Sequence, residues 1–246
     1  MLNKFKTLIL FFSSIVLSFY ILESILYINY TYENISIKQI QEYEKKTNIK
    51  YDRRSLFDVY QDLKEKNPNY TLTFSPKAYL RKEMSGGAIT GEALFTLGGI
   101  SNSLTIHCKE NGYFSIFNSD RYGFNNPDEE WDKKEIDFFL VGDSFVFGSC
   151  VNRPNDIGSV LRNLEQDKKT VLNLSYDGHG PLMQLASIIE YSKKLKIKNI
   201  FWFYYEGNDL KDLSLELKSK AFSKYYNNLK FTQNLTLKQN IIDHEL

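Results

Sequence analysis

Asp137-Phe138-Phe139-Leu140-Val141-Gly142-Asp143-Ser144-Phe145-Val146-Phe147-Gly148 decides the fold. The apolar run Phe138 to Val141 ends abruptly in Gly142, Asp143 and Ser144. A short apolar run closed by a turn signal reads as a buried strand of a parallel sheet. Gly142 lets the backbone turn at the carboxyl end of that strand, where open α/β sheets place their ligand sites. A serine on such a tight loop, leading into a helix, is placed as a nucleophile would be. Gly, Asp and Ser are also the ordinary residues of a strand-end turn, so the tripeptide needs support from the rest of the chain.

Downstream, strands and helices alternate. Pro154 to Gln166 predicts a helix with Pro154 in its first turn and Ile157, Val160, Leu161 and Leu164 on one face. Thr170–Leu174 predicts a second strand, followed by the loop Ser175–Pro181 and a helix from about Leu182 to Lys194. Asn199–Tyr205 predicts a third strand; being apolar throughout it reads as a central one, with the aromatics Phe201 to Tyr205 in the core. This alternation implies βαβ units and a parallel sheet. The loops after the three strands meet on one edge in such a sheet, and they carry Asp143-Ser144, Gly178-His179-Gly180 and Gly207-Asn208-Asp209.

Acyl transfer needs a nucleophile and donors aimed at the oxyanion formed on attack. Ser144 offers a hydroxyl and its own N–H, a glycine in the second loop lets another N–H approach closely, and Asn208 can donate from its side chain. Asp143 and Asp209 read as loop anchors that accept backbone N–H bonds. This ordered set resembles the SGNH (GDSL-like) hydrolase and acyltransferase superfamily over roughly Ile136 to Leu213. Gly142-Asp143-Ser144 matches the first block, with Ser144 as nucleophile. Gly178 or Gly180 stands where the second block places its oxyanion glycine, Gly178 being preferred, and Gly207-Asn208-Asp209 looks like the third block. The preceding Asp120–Asn126 stretch is similar to the lead-in of envelope members of that superfamily. Ser144 does not lie in the Gly-x-Ser-x-Gly pattern of α/β-hydrolases.

The resemblance implies an α/β, three-layer flavodoxin-like SGNH fold with a parallel sheet, and an esterase or O-acyltransferase acting on an acylated polysaccharide. It implies neither metal nor organic cofactor. The family's late Asp-x-x-His block, its source of the base, has no counterpart in the 37 residues after Asp209, where Asp243 and His244 are adjacent. The sheet is therefore expected to be incomplete at the C-terminus, with an uncovered strand edge. His179 and His244 are the substitutes to consider as base, set against a pocket-lining or solvent-facing role. A base-less relative that binds glycan without turnover, or a shortened copy of a longer enzyme, is the alternative.

The remainder frames this domain. Residues 1–30 read as a membrane anchor or signal: Thr7–Ile28 is 22 residues, close to the ~20 that span a bilayer. Lys4 and Lys6 predict the amino end inside and the rest facing the periplasm or exterior. No Ala-x-Ala-like site follows, which favours an uncleaved anchor. Residues 31–69 read as a stalk with helices over Lys38–Lys50 and Arg54–Lys66, residues 70–132 as a β-rich lead-in, and residues 133–246 as the hydrolase-like domain. Within the lead-in, Leu104–Cys108 and Tyr113–Phe117 flank Asn111-Gly112, a hairpin signal, and His107 reads as a partly buried, hydrogen-bonded histidine. Cys108 and Cys150 lack CxxC spacing and suggest no zinc site; a single disulfide or two buried thiols both fit. Net charge +1 with no basic, aromatic-interleaved cluster argues against nucleic acid, and the lysines from Lys193 to Lys198 read as a solvated helix end.

Overall fold

The computed structural model describes residues 2–84, 94–164 and 168–246. Gly86, Gly87 and Gly91 of the turn-rich passage, and Glu165 and Gln166 of the predicted helix, lie outside them. The chain divides into two units, Met1–Asp52 and Arg53–Leu246.

The first unit is one helix, α1 (Leu2–Thr47). Its Lys6–Ile28 segment, 23 residues with mean hydropathy 2.1, is long and apolar enough to cross a membrane. The stalk helix expected over Lys38–Lys50 is a continuation of α1, because neither Pro nor Gly interrupts the run. Asn48 stops it in the left-handed conformation (φ 56°) that asparagine tolerates at helix ends.

The second unit opens with α2 (Leu56–Lys66), where Ser55 and Asp58 form a reciprocal capping box. A small mixed sheet comes next: β1 (Tyr70–Leu72) runs parallel to β2 (Leu104–Ile106), and β2 antiparallel to β3 (Ile116–Asn118). Between β1 and β2 in sequence lies α3 (Pro76–Met84). Gly112 takes φ +75° in the expected hairpin turn.

The decisive stretch forms β4 (Ile136–Val141), centre of a parallel sheet in the order β5-β4-β6, with β5 spanning Val171–Asn173 and β6 Ile197–Trp202. Side chains alternate across this sheet. Phe139, Val141, Leu172 and Leu174 join the main core with Met183 and Ala186 of α6 (Pro181–Tyr191). Leu140 and Val171 point the other way, joined by Phe138 and by Leu161 of α5 (Ile157–Asn163). The parallel sheet thus carries a helix on each face. α7 (Asp209–Glu216) and α8 (Lys220–Asn227) pack on α6, and α9 (Gln239–Glu245) buries Ile242 in the same core.

Three expectations need correction. α5 starts at Ile157, capped by Asp156, and Pro154 lies in the preceding loop. Ile157, Val160 and Leu164 are exposed; the helix buries Gly158, Ser159 and Arg162, since Arg162 donates to the Val171 carbonyl and to Asn126. β6 is an edge strand among the described residues, not a central one. Phe201 to Tyr205 are between 39% and 56% exposed, so they are not core. Their apolar pattern records a capacity for burial and not what covers it.

Candidate active site

The first loop begins where β4 meets α4 (Ser144–Phe147), a single helical turn. Asp143 caps it: Oδ1 accepts the Phe145 N–H at 3.0 Å. A side chain at Gly142 would stand 2.5 Å from Val146 Cγ2 and 3.2 Å from Phe203 Cβ, so only glycine lets α4 and the exit of β6 approach this closely. Phe145 and Tyr205 meet across the same gap with ring centroids 5.0 Å apart. Among the described residues nothing hydrogen-bonds the Ser144 hydroxyl, and Ser144 is partly exposed.

The third loop is tied down in a similar way. Asp209 Oδ2 accepts the Tyr205 N–H at 2.8 Å. Asn208 spends one side-chain N–H on Asp212 Oδ2 at 3.1 Å, which leaves the other free; a flipped amide would set oxygen against carboxylate. Asp212 also pairs with Lys77 of α3. Asp143 Oδ2, Asp209 Oδ1 and Asn208 Oδ1 are buried without a hydrogen-bond partner. Burial pushes the carboxyls of Asp143 and Asp209 above their usual range; Asp177 and Asp212 reinforce this at Asp143, and Asp143 and Asp212 at Asp209. Phe145 against Tyr205, and Ser149 against Asp177, bring the three loops side by side.

The second loop separates its two glycines. Gly180 donates its N–H to Glu216 Oε1 at 2.9 Å, in a carboxylate cap that also takes the Leu182 and Met183 N–H groups at the start of α6. Gly178 adopts φ +80°, packs against the Lys77 side chain, and makes no N–H hydrogen bond among the described residues.

None of the three histidines bonds to Ser144 among the described residues. His179 is fully buried with both ring nitrogens unpartnered, its ring tilted over Tyr176. Burial drives its pKa down to about 3; the Leu97 carbonyl lies near enough to oppose this without forming a hydrogen bond, as does the charge of Asp177. His244 is exposed on α9, whose Asp243 instead holds the Ser101 N–H at 2.8 Å. His107 lies just beyond β2 and pairs through Nε2 with Asp177.

Several groups of the site escape sequence reading: Lys77, Ser149, Asp177, Asp212 and Glu216. Asp177 has a signal, standing immediately before Gly178, but its partners His107 and Ser149 come from other loops. Cys108 and Cys150 form a disulfide, which resolves the open alternative. The Asp120–Asn126 stretch braces the sheet from below: Asn126 Oδ1 accepts the Asn173 N–H at 2.9 Å, and Asp120 gathers N–H groups of Tyr122, Phe124, Asn126 and Trp131. Burial lifts the Asp120 pKa to about 6 despite those bonds. A cavity of about 280 Å³ near Trp131, Tyr191 and Lys194 lies at the carboxyl end of α6, away from these loops. Comparison of the chain with family models, with curated proteins and with solved structures returned no match.

Proposed function

We propose that the chain carries an SGNH-like acyl-transfer site, that of a serine esterase or O-acyltransferase acting on acyl esters, acetyl above all, of an envelope or extracellular polysaccharide. The observation that carries this reading is selective. Glu216 consumes the Gly180 N–H, while among the described residues the Gly178 N–H and the Ser144 hydroxyl are both left without a hydrogen-bond partner. Ser144 Oγ attacks the ester carbonyl, and the oxyanion is received by the Ser144 N–H, the Gly178 N–H and the unspent side-chain N–H of Asn208. Collapse of that intermediate breaks the ester C–O bond and releases the alcohol, which leaves with the proton given up by Ser144, and the acyl group on Ser144 then passes to water or to a sugar hydroxyl. The β5-β4-β6 order equals the opening 2-1-3 of the flavodoxin-like order, which supports the fold assignment. Lys4 and Lys6 before the apolar segment, together with the disulfide, favour a domain held on the translocated side of a membrane. The polysaccharide is inferred from that anchoring and from the resemblance of the motifs.

A second reading, a glycan-binding relative without turnover, is favoured by one observation: among the described residues no imidazole reaches Ser144. Fluorophosphonate labelling of the full chain in detergent, beside Ser144→Ala, decides between them. Labelling lost in the alanine variant is the expected result. A folded wild-type chain that never labels would remove the esterase reading and leave the binding one.

A further inference from the structure

The two groups that grip Asp177 are the residues immediately preceding the two cysteines. His107 Nε2 pairs with Asp177 Oδ2, and Ser149 Oγ donates to Asp177 Oδ1. Cys108 and Cys150, the next residue in each case, are joined by the disulfide, with Cα atoms 4.9 Å apart. A carboxylate facing His107 Nε2 requires that nitrogen to carry the proton, which leaves the Nδ1 lone pair directed at the bridge. Nδ1 is accordingly 2.9 Å from Cys108 Sγ and accepts the Cys150 N–H at 3.4 Å. Cys150 itself holds a left-handed φ of +60°, a strained conformation for a residue with a Cβ. Such a residue persists there only while its surroundings impose it.

The peptide after Asp177 carries the Gly178 N–H. Fixing the carboxylate at both oxygens fixes the Asp177 Cα, and with it the direction of that N–H. We infer that the Cys108–Cys150 disulfide is a clamp which, through His107 and Ser149, makes Asp177 a positioning residue for the Gly178 N–H, so that reducing the bridge disables the site. The inference rests on the acyl-transfer reading for its consequence, but the clamp itself is a structural statement. In the reductive step a dithiol attacks the bridge, both cysteines become thiols, and the dithiol leaves as its own disulfide, with two electrons and two protons transferred. Cys108 is only partly buried while Cys150 is 1% exposed, so attack falls on Cys108 Sγ and Cys150 departs as the leaving thiolate. His107 and Ser149 then lose the cross-link that held them on opposite sides of one carboxylate.

The test uses the full chain in detergent, oxidised and after treatment with dithiothreitol, beside Ser149→Ala and the Cys108→Ser/Cys150→Ser double variant. Hydrogen exchange read by mass spectrometry reports the loop directly. Protection over residues 175–180, where the His179 N–H bonds the Tyr176 carbonyl, is expected to be lost on reduction and in the double variant, with β4 and α6 unchanged. Ser144 labelling by a fluorophosphonate is expected to fall about 10²-fold, the penalty of a catalytic group misplaced by about 1 Å, and to return on reoxidation. Unchanged exchange at 175–180, or a loss of protection spread over the whole sheet, would overturn the clamp. If the oxidised chain never labels, the acyl-transfer reading fails while the exchange data still decide the clamp.

Discussion

Alanine at Gly178 and alanine at Gly180 should have opposite consequences, although the residues are two apart. At Gly178 a Cβ would stand 3.0 Å from Lys77 Cβ on a backbone at φ +80°, a strain of about 1 kcal/mol. Relieving it rotates the N–H that the second loop leaves free, one of the three proposed oxyanion donors. Gly178→Ala is therefore expected to cut Ser144 labelling about 10²-fold, the usual cost of one donor, with a melting-temperature shift of only a few degrees. At Gly180 a Cβ would meet Glu216 Oε1 at 2.7 Å and Asp212 Cβ at 2.8 Å, which displaces the α6 cap. Gly180→Ala should lose stability first and leave labelling of the folded fraction near wild type. Labelling rates and thermal melts of both variants check this; the reverse pattern would reassign the donor to Gly180. The choice between the glycines is not legible in the sequence, because both come after the same strand. Glu216, 36 residues further on, is what separates them. His107 is legible as a hydrogen-bonded histidine, but its partner lies 70 residues away and no local spacing announces it.

At the level of elements, the start of α6 depends on a single foreign carboxylate. Glu216 accepts three backbone N–H groups, yet burial outweighs them and raises its pKa from 4.5 to about 7. A folded-state value above the unfolded one means that the native protein holds this proton more tightly. The associated stability is present below the unfolded value of 4.5 and is lost as pH rises through about 7. At ~1.4 kcal/mol per pH unit the loss is about 3 kcal/mol. Glu216→Gln, which cannot ionise, should show a smaller decline in melting temperature between pH 5 and pH 8 than wild type. Parallel profiles for the two proteins would show that the N–H donors, and not burial, govern the proton. The elements around α6 show where pattern reading holds. β4, β5 and the β2–β3 hairpin are legible because apolar runs and turn residues act locally. α5 keeps only Leu161 of its apolar face against the core and turns Ile157 and Val160 outward, because Arg162, a long polar side chain, claims the buried face by bonding the Val171 carbonyl. β6 reads as central because a continuous apolar strand reports burial potential on both faces, whereas its place in the sheet depends on which strands pair with it.

Over the second unit as a whole, the groups proposed as oxyanion donors are supported from the β-rich lead-in as much as from the parallel sheet. Lys77 lies over Gly178 and pairs with Asp212, which in turn holds Asn208; His107 holds Asp177. Residues that read in the sequence as an approach to the domain are thus buttresses of its site. The same unit does not bring an imidazole to Ser144: His107 is spent on Asp177, His179 is sealed, and His244 is exposed on α9. The proposed set of oxyanion donors, with no base among the described residues, makes a specific kinetic prediction. General-base catalysis contributes about 10²–10⁴-fold, and a diffusing imidazole can recover part of that if the nucleophile is open to solvent. Added imidazole should therefore accelerate release of p-nitrophenol from p-nitrophenyl acetate in proportion to its concentration, beyond the rate with Ser144→Ala, which accounts for hydrolysis by imidazole alone. Gly178→Ala should remove most of that excess, since rescue supplies the base and not the oxyanion donor. An excess that survives Gly178→Ala would mean that Ser144 reacts as an exposed hydroxyl without the proposed donors. No excess over Ser144→Ala at any imidazole concentration, in a folded chain that also resists fluorophosphonate labelling, would leave glycan binding as the role of these loops.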